Sequence, residues 1–300
     1  MREYIQTWFD TSVLWELLDP DAAVYLLAAV VVLYIGKLVN DRLSPYSLNK
    51  ELTEHDNKAV ALSFSGYLLG LAFILSGVLG SESSVRITGH ATRDLLADIG
   101  STILWGGIGI ALLLVARFLN DKTLLRRFDN TKELVVDRNV GTGAVQAGAY
   151  IGSALIVVGA MAGDGESTFL GGLMATLVYF FLGQLSFVAF GILYQWVSRF
   201  DLHHEIEQDC VAAGVAFGMT LAAIGILLSG YIMKFDSLVG LALWFFISAF
   251  SLVTVRYLVD KLILPGKLLD EEISVDRNWG AALLEGSACI GIAFILNASL

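Results

Sequence analysis

The sequence predicts an all-α membrane protein with eight transmembrane helices, organised as two parallel four-helix repeats that each consist of two helix pairs. Three observations predict it. Of 300 residues, 56% are hydrophobic and 16% charged, and mean hydropathy is +0.70, well outside the usage of a water-soluble domain. The apolar residues fall in runs of about 20, the length at which an α-helix crosses roughly 30 Å of hydrocarbon. Finally, one short polar pattern recurs four times between the runs.

The runs place spans at residues 22–40, 58–79, 97–119, 140–162, 169–197, 209–232, 237–259 and 279–298. A large soluble core could bury helices this apolar only beneath amphipathic helices of similar length, and the chain has none to offer. Transmembrane strands alternate in polarity with period two, whereas VYLLAAVVVLYIG and ALWFFISAFSLV are continuously apolar. Helices remain as the spanning solution, because lipid offers no partner to an unbonded backbone. Residues 1–21 form a periplasmic or interfacial N-terminal segment, 22–163 the first four-helix repeat and 164–300 the second. The first 21 residues lack the basic start, apolar middle and small-residue cleavage site of a signal peptide, so the first span is expected to stay as an anchor. Within them WFDTSVLWELL suits an amphipathic helix with its tryptophans at headgroup level. Cys210 and Cys289 have no paired spacing of a disulfide or metal site and read as packing residues.

Connections after the first, third, fifth and seventh spans are long and carry 15 of the 19 Lys and Arg, leaving Arg2, Arg86, Arg93 and Lys234 on the other side. Basic residues near span ends are retained in the cytoplasm. The long loops are therefore expected inside, both termini in the periplasm, and the chain in a bacterial inner membrane. The net charge of −10 does not oppose this, since acidic residues count little in the rule, and an acidic outer face disfavours nucleic acid as a partner.

The recurring pattern opens every even-numbered span: ELTEHDNKAVALSF, ELVVDRNVGTGAVQ, EIEQDCVAAGVAFG and EISVDRNWGAALLE. Glu51, Glu133, Glu205 and Glu272 lead it. Asp137, Asp209 and Asp276 stand four residues on, where the first copy has His55. Asn57, Asn139 and Asn278 stand six on, and Val211 breaks that position in the third copy. The preceding spans end KLVND, RFLND, QWVSR and RYLVD, so Lys37, Arg117, Gln195 and Arg256 match. Copies two and four share VDRN, which makes the larger duplication one of four helices. A unit with an even number of spans gives parallel copies related by an axis along the membrane normal. Small residues four apart (Gly66 and Gly70; Ala144, Gly148 and Gly152; Gly214, Gly218 and Ala222; Ser287 and Gly291) supply faces for close helix packing.

With its paired helices and its E-aliphatic-x-x-D-x-N entrance to a glycine-rich span, the chain resembles the bacterial inner-membrane family catalogued as domain of unknown function 350. The resemblance runs from about residue 22 to the end as two tandem copies. It implies a small multi-spanning inner-membrane protein without an established activity. Gln195, Arg199 and Val211 depart from the pattern in the third copy.

Two layers of polar residues are candidate sites. Glu51 with Asp56, Glu133 with Asp137, Glu205 with Asp209 and Glu272 with Asp276 form acidic clusters at the cytoplasmic end. Such clusters read either as first-turn carboxylates favoured by a helix dipole or as charged rings that attract a cation at a pore mouth. Deeper, Asn139 and Gln146, like Asn278 and Glu285, stand seven apart, about 10 Å in depth along one side of a helix. Glu285 thereby lies in the apolar region, where an unpaired charge costs a few kcal/mol. It is expected to be neutral, paired or lining water. It reads as a proton or cation site between the halves, or as a carboxyl bonded to another helix through Gln184 or Ser287. Lys37, Arg117 and Arg256 are expected to snorkel to phosphate headgroups, with pairing to a Glu of the following span as the alternative.

No phosphate-binding loop, HExxH or partnered nucleophile occurs, and HHEIEQD reads as solvated loop histidines, so neither a cofactor nor a metal is expected. Two functional readings lead: conduction or transport of a small cation or protons, and a non-transporting scaffold or anchor whose cytoplasmic loops bind a partner protein; a membrane-embedded enzyme is third, weakened by the lack of a catalytic set. The lipid bilayer is a partner in both, and either is compatible with a homo-oligomer.

Overall fold

The computed structural model describes residues 20–81, 91–127, 129–162 and 168–300; the interfacial helix expected in WFDTSVLWELL lies outside them. Among the described residues twelve α-helices follow one another: α1 (Pro20–Leu43), α2 (Leu48–Thr53), α3 (Lys58–Ser81), α4 (Ala91–Thr123), α5 (Asn130–Val135), α6 (Val140–Met161), α7 (Phe169–Val197), α8 (Leu202–Glu207), α9 (Val211–Lys234), α10 (Leu238–Leu258), α11 (Leu269–Ser274) and α12 (Trp279–Ser299). Eight are long and apolar enough to cross a membrane, and they are the eight spans read from the sequence. The largest difference is α4, which extends to Ala91 and Thr123. Hydropathy marks only the lipid-crossing part of a helix, and at the start of that part Tyr25 of α1 donates to Asp98 at 2.9 Å.

Three of the four short helices share one capping device, and α11, which follows Leu268, lacks it. Ser47, Asp129 and Asp201 cap α2, α5 and α8 by accepting backbone N–H bonds, which satisfies donors that a helix start leaves open. After the short helix the chain turns through a left-handed residue: Asp56, Arg138, Asp209 or Arg277, with φ of 48°, 53°, 54° and 49°. That conformation is uncommon for a residue with a Cβ, and it aims the next residue, Asn57, Asn139, Cys210 or Asn278, to open the long helix. The third copy is one residue shorter here. Its left-handed residue is four after the Glu instead of five, so Cys210, and not Val211, occupies the place of the asparagines, and α9 starts at 211 instead of the expected 209.

The long helices lie in two layers. The inner row runs α3, α6, α9, α12, each packed on the next; outside it α4 straddles α3 and α6, α7 straddles α6 and α9, and α10 straddles α9 and α12. Glycine sets the inner spacing: a Cβ on Gly148 would strike the Gly218 carbonyl, and one on Gly214 the Gly141 carbonyl. Backbones thus touch at the α6–α9 junction, where lipid supplies no hydrophobic drive and van der Waals contact must hold the helices. Between the layers Phe180, Phe187, Phe190, Phe217 and Leu221 are buried, and Trp244 of α10 donates to the Leu227 carbonyl of α9 at 2.9 Å. Of the small-residue faces read from the sequence, those of α3, α6 and α9 are buried in this row, whereas Ser287 and Gly291 of α12 are exposed.

Candidate functional site

At the end of the bundle that carries the short helices, the leading Glu bonds the capping asparagine of the same repeat in the first, second and fourth copies. Asn57 donates to Glu51 at 2.9 Å, Asn139 to Glu133 at 2.8 Å and Asn278 to Glu272 at 2.8 Å. The asparagine oxygen meanwhile accepts from the first turn of the long helix, as at Thr142 (2.9 Å). A second link runs forward: Asn57 also donates to the Leu134 carbonyl (2.8 Å), Asn139 to Ile206 (2.6 Å), and the Cys210 thiol to Ile273 (3.3 Å). Asn57, Asn139 and Cys210 therefore each tie their own repeat to the next.

The acidic clusters consequently divide. Glu51 and Glu133 are buried hydrogen-bond acceptors, not first-turn residues of the long helices, because the left-handed turn separates them from those helices. Burial pushes the Glu51 carboxyl up, but bonds from Asn57 and His55 and the charge of Arg138 outweigh it and hold the group below its ordinary range. At Glu133 burial wins, helped by the neighbouring Asp137, and the carboxyl sits above its range despite Asn139. Asp56 and Asp209 form the turns, and Asp209 accepts from Val140 N–H at 3.0 Å. Asp137 pairs with Lys132 (2.9 Å) and Asp276 with Lys267 (3.8 Å). Glu205 is on α8 without an asparagine of its own repeat to bond.

The odd-numbered spans, α1, α4, α7 and α10, reach the same end. Asp41 accepts from Leu48 N–H (3.0 Å) and Asp260 from Leu269 N–H (2.6 Å). In the third copy Arg199 stands in that aspartate's place, and Gln195 takes over by accepting from Leu202 N–H (3.0 Å). The departures at Gln195 and Arg199 are thus compensated within the repeat.

Inside the second half lies a buried ionic cluster. Glu285 is the seventh residue of α12, about 9 Å along the helix from Trp279, and its residue is 0% exposed. Arg256 of α10, 6% exposed, donates to Glu285 Oε1, to the Tyr194 hydroxyl of α7 at 2.6 Å and to Asp270 of α11 at 2.5 Å. Tyr194 donates to the same Glu285 oxygen at 3.0 Å, and its ring centroid is 5.0 Å from the guanidinium carbon. Arg256 therefore points inward instead of snorkelling, because two carboxylates and a phenol offer it more than a headgroup does. The partners of Glu285 are not Gln184 or Ser287, and α7, α10 and α12 all belong to the second half. Its other oxygen, Oε2, has no hydrogen-bond partner among the described residues.

The first half is built differently. Gln146, at the position of Glu285, accepts from Ser63 of α3 at 2.7 Å. Arg117, at the position of Arg256, donates to Asn40 at 3.0 Å and lies 3.8 Å from Asp121. Lys37 pairs with Asp41 at 3.3 Å. Asn120 donates to Ser153 (3.0 Å) and accepts from Gln184 of α7 (2.6 Å), which joins the halves. Gln146 and Glu285 therefore lie in separate environments. Asn139 and Asn278 are helix caps.

On its open side the inner row forms an apolar groove of about 610 Å³ lined by residues such as Leu69, Phe73, Ile151, Met219 and Phe294, without Glu285. Sequence reading missed Tyr194 and Asp270 in the cluster. Tyr194 stands opposite a glycine, Gly36, in the first half, and Asp270 lies in the connection after α10; neither position repeats. The one available signal was a buried carboxylate that needed a cation, with Arg256 in the preceding span.

Domain of Unknown Function (DUF350) is the description of the family that matches residues 11–161 and again 168–300. Over 255 residues, 83% of this chain and 88% of the relative, the sequence is 26% identical to a UPF0719 transmembrane protein of Aquifex aeolicus (strain VF5). No solved structure matches.

Proposed function

We propose, for a chain that belongs to the family described as Domain of Unknown Function (DUF350) in two consecutive copies, that it is a non-transporting scaffold of the bacterial inner membrane. The observation that carries this is the closed centre. A conducted ion needs a polar path past Glu285 or between the halves, yet Glu285 is 0% exposed and neutralised by Arg256 inside the second half, and the backbones of the two halves touch at Gly148 and Gly218. The excess of Lys and Arg assigns the short-helix end to the cytoplasm, with both termini periplasmic. A soluble partner protein meets the scaffold at that end, where Arg127 and Asp201 (2.7 Å apart and half exposed) join the connections of the two halves.

A second reading, a proton site, is favoured by the bare Oε2 of Glu285, since a buried acceptor without a donor costs about 1–3 kcal/mol and a bound proton would relieve it. Purified protein in lipid vesicles separates the two. Proton and K⁺ flux equal to that of protein-free vesicles, in wild type and in Glu285→Gln alike, is the result expected of the scaffold. Flux in wild type that Glu285→Gln abolishes, while the variant remains folded, overturns it for the proton site.

A further inference from the structure

The four repeats form an open array. Counted from the capping residues Asn57, Asn139, Cys210 and Asn278, the inner helices meet in one register. Position 9 of each meets position 8 of the next: Gly66 on Ala147, Gly148 on Gly218, Met219 on Gly286. Position 13 meets position 15 in Gly70 with Ala154 and Gly152 with Gly225, and the same positions at the third junction, Ala223 and Ala293, are 0% exposed. Position 20 meets position 19 in Gly77 with Val158, Gly159 with Ser229 and Gly230 with Asn297. Three junctions thus use one set of contacts, with the capping residue donating forward to a carbonyl of the next short helix at each.

Among the described residues, both halves of a fourth such junction lie unused, one on α12 and the other on α3. On α12, positions 9, 13 and 20 are Ser287, Gly291 and Ala298; on α3, positions 8, 15 and 19 are Ser65, Ala72 and Ser76. All six are small and all six are exposed, in membrane-spanning helices whose other exposed residues include Leu69, Leu284, Phe294 and Ile295. A Cβ at Gly291 would meet nothing within 4 Å among the described residues. Asn278, whose counterparts are buried against the following repeat, is exposed, and Leu52 holds the place of the carbonyls of Leu134, Ile206 and Ile273. The outer layer agrees. α4, α7 and α10 each straddle an inner helix of their own repeat and that of the preceding one, whereas α1 packs against a single inner helix, α3, among the described residues.

We infer that a second copy of this chain docks head to tail, with α12 of one copy against α3 and α1 of the next in the register of the internal junctions. The occupant is another copy because the complementary surface is at the other end of the same polypeptide. Such a contact is heterologous and propagates until the rotation per copy closes a ring. It holds whether or not the centre conducts.

Cysteine cross-linking of the full chain in its native membrane tests it. Chains bearing Ser65→Cys, co-expressed with chains bearing Ser287→Cys, form a disulfide-linked dimer on mild oxidation; each variant alone gives monomer, and the double variant gives a ladder or one closed species. Gly291→Leu abolishes the cross-link while the thermal transition in detergent stays within about 2 °C of the parent, because the side chain enters open space in the isolated copy. Three outcomes overturn the inference: no 65–287 cross-link with both chains inserted and folded, an equal cross-link between two Ser65→Cys chains, or an undiminished cross-link with Gly291→Leu.

Discussion

Replacing the members of the buried cluster one at a time and together tests whether Arg256 and Glu285 are an ion pair. In Glu285→Gln the shape is kept and Tyr194 retains an acceptor, while Arg256 keeps Asp270 at 2.5 Å. The loss falls at the low end of that for breaking a buried pair, about 3 kcal/mol. Arg256→Gln leaves a wholly buried carboxylate with only the Tyr194 hydroxyl, and it also strips Asp270 of its closest cation; about 4 kcal/mol is expected. Removing both ends abolishes the uncompensated charge at Glu285, so the double variant loses about 4–5 kcal/mol and the coupling is about 2–3 kcal/mol. Equilibrium unfolding in mixed micelles, followed by tryptophan fluorescence, measures all four corners. A Glu285→Gln variant within about 0.5 kcal/mol of wild type, or coupling below that size, would refute the ion pair.

Two further outcomes follow from the packing and the loops. His203 lies between the Leu124 carbonyl, 2.7 Å from Nε2, and Gln195; burial, with the charges of Arg127 and Arg126, holds its pKa below the ordinary imidazole range against the Leu124 carbonyl and Asp201. A depressed folded pKa means stability present above the unfolded value of about 6.5 and lost as pH falls through the folded value. The melting temperature of wild type should drop more steeply than that of His203→Gln below about pH 6.5, and parallel curves would sink the assignment. Gly148→Ala forces the α6 and α9 backbones apart and costs about 1–3 kcal/mol, whereas Gly107→Ala, with nothing within 4 Å of its new Cβ, gains up to about 1 kcal/mol; equal effects in thermal unfolding would argue against the backbone contact.

Legibility in the sequence followed the range of the physics involved. Span length is a local consequence of bilayer thickness, so the eight helices were readable to within a few residues except at α4, whose polar extension hydropathy cannot see. The repeat unit was equally plain. Its register in the third copy was not, because a one-residue shortening before Cys210 leaves Asp209 at the expected spacing while changing its role from the middle of the motif to the left-handed turn. Local reading also placed Glu285 in the membrane and required it to be neutral, paired or wet. The choice among these depended on which helices are neighbours, a long-range fact that only the two-layer packing supplies.

The difference between the halves has a compact physical origin. In the first half the tyrosine comes from the inner helix: Tyr67 of α3 donates to the Gly36 carbonyl of α1 at 2.9 Å and sets its ring edge-on against Tyr150. In the second half the outer helix supplies it, as Tyr194 of α7 where α1 has Gly36, and Thr220 stands where α3 has Tyr67. Moving the ring from one helix to the other turns a hydroxyl away from a backbone carbonyl and toward the position held by Gln146 in one half and Glu285 in the other. A phenol aimed at that position supports a carboxylate and gives a guanidinium an aromatic face to lie on, so Glu285 with an inward Arg256 is stable there. Without it Gln146 is served by Ser63, and Arg117 turns to Asn40. The buried Arg256–Glu285 pair therefore goes with which helix fills one core site, and Gln146 and Arg117 form no such pair in the first half.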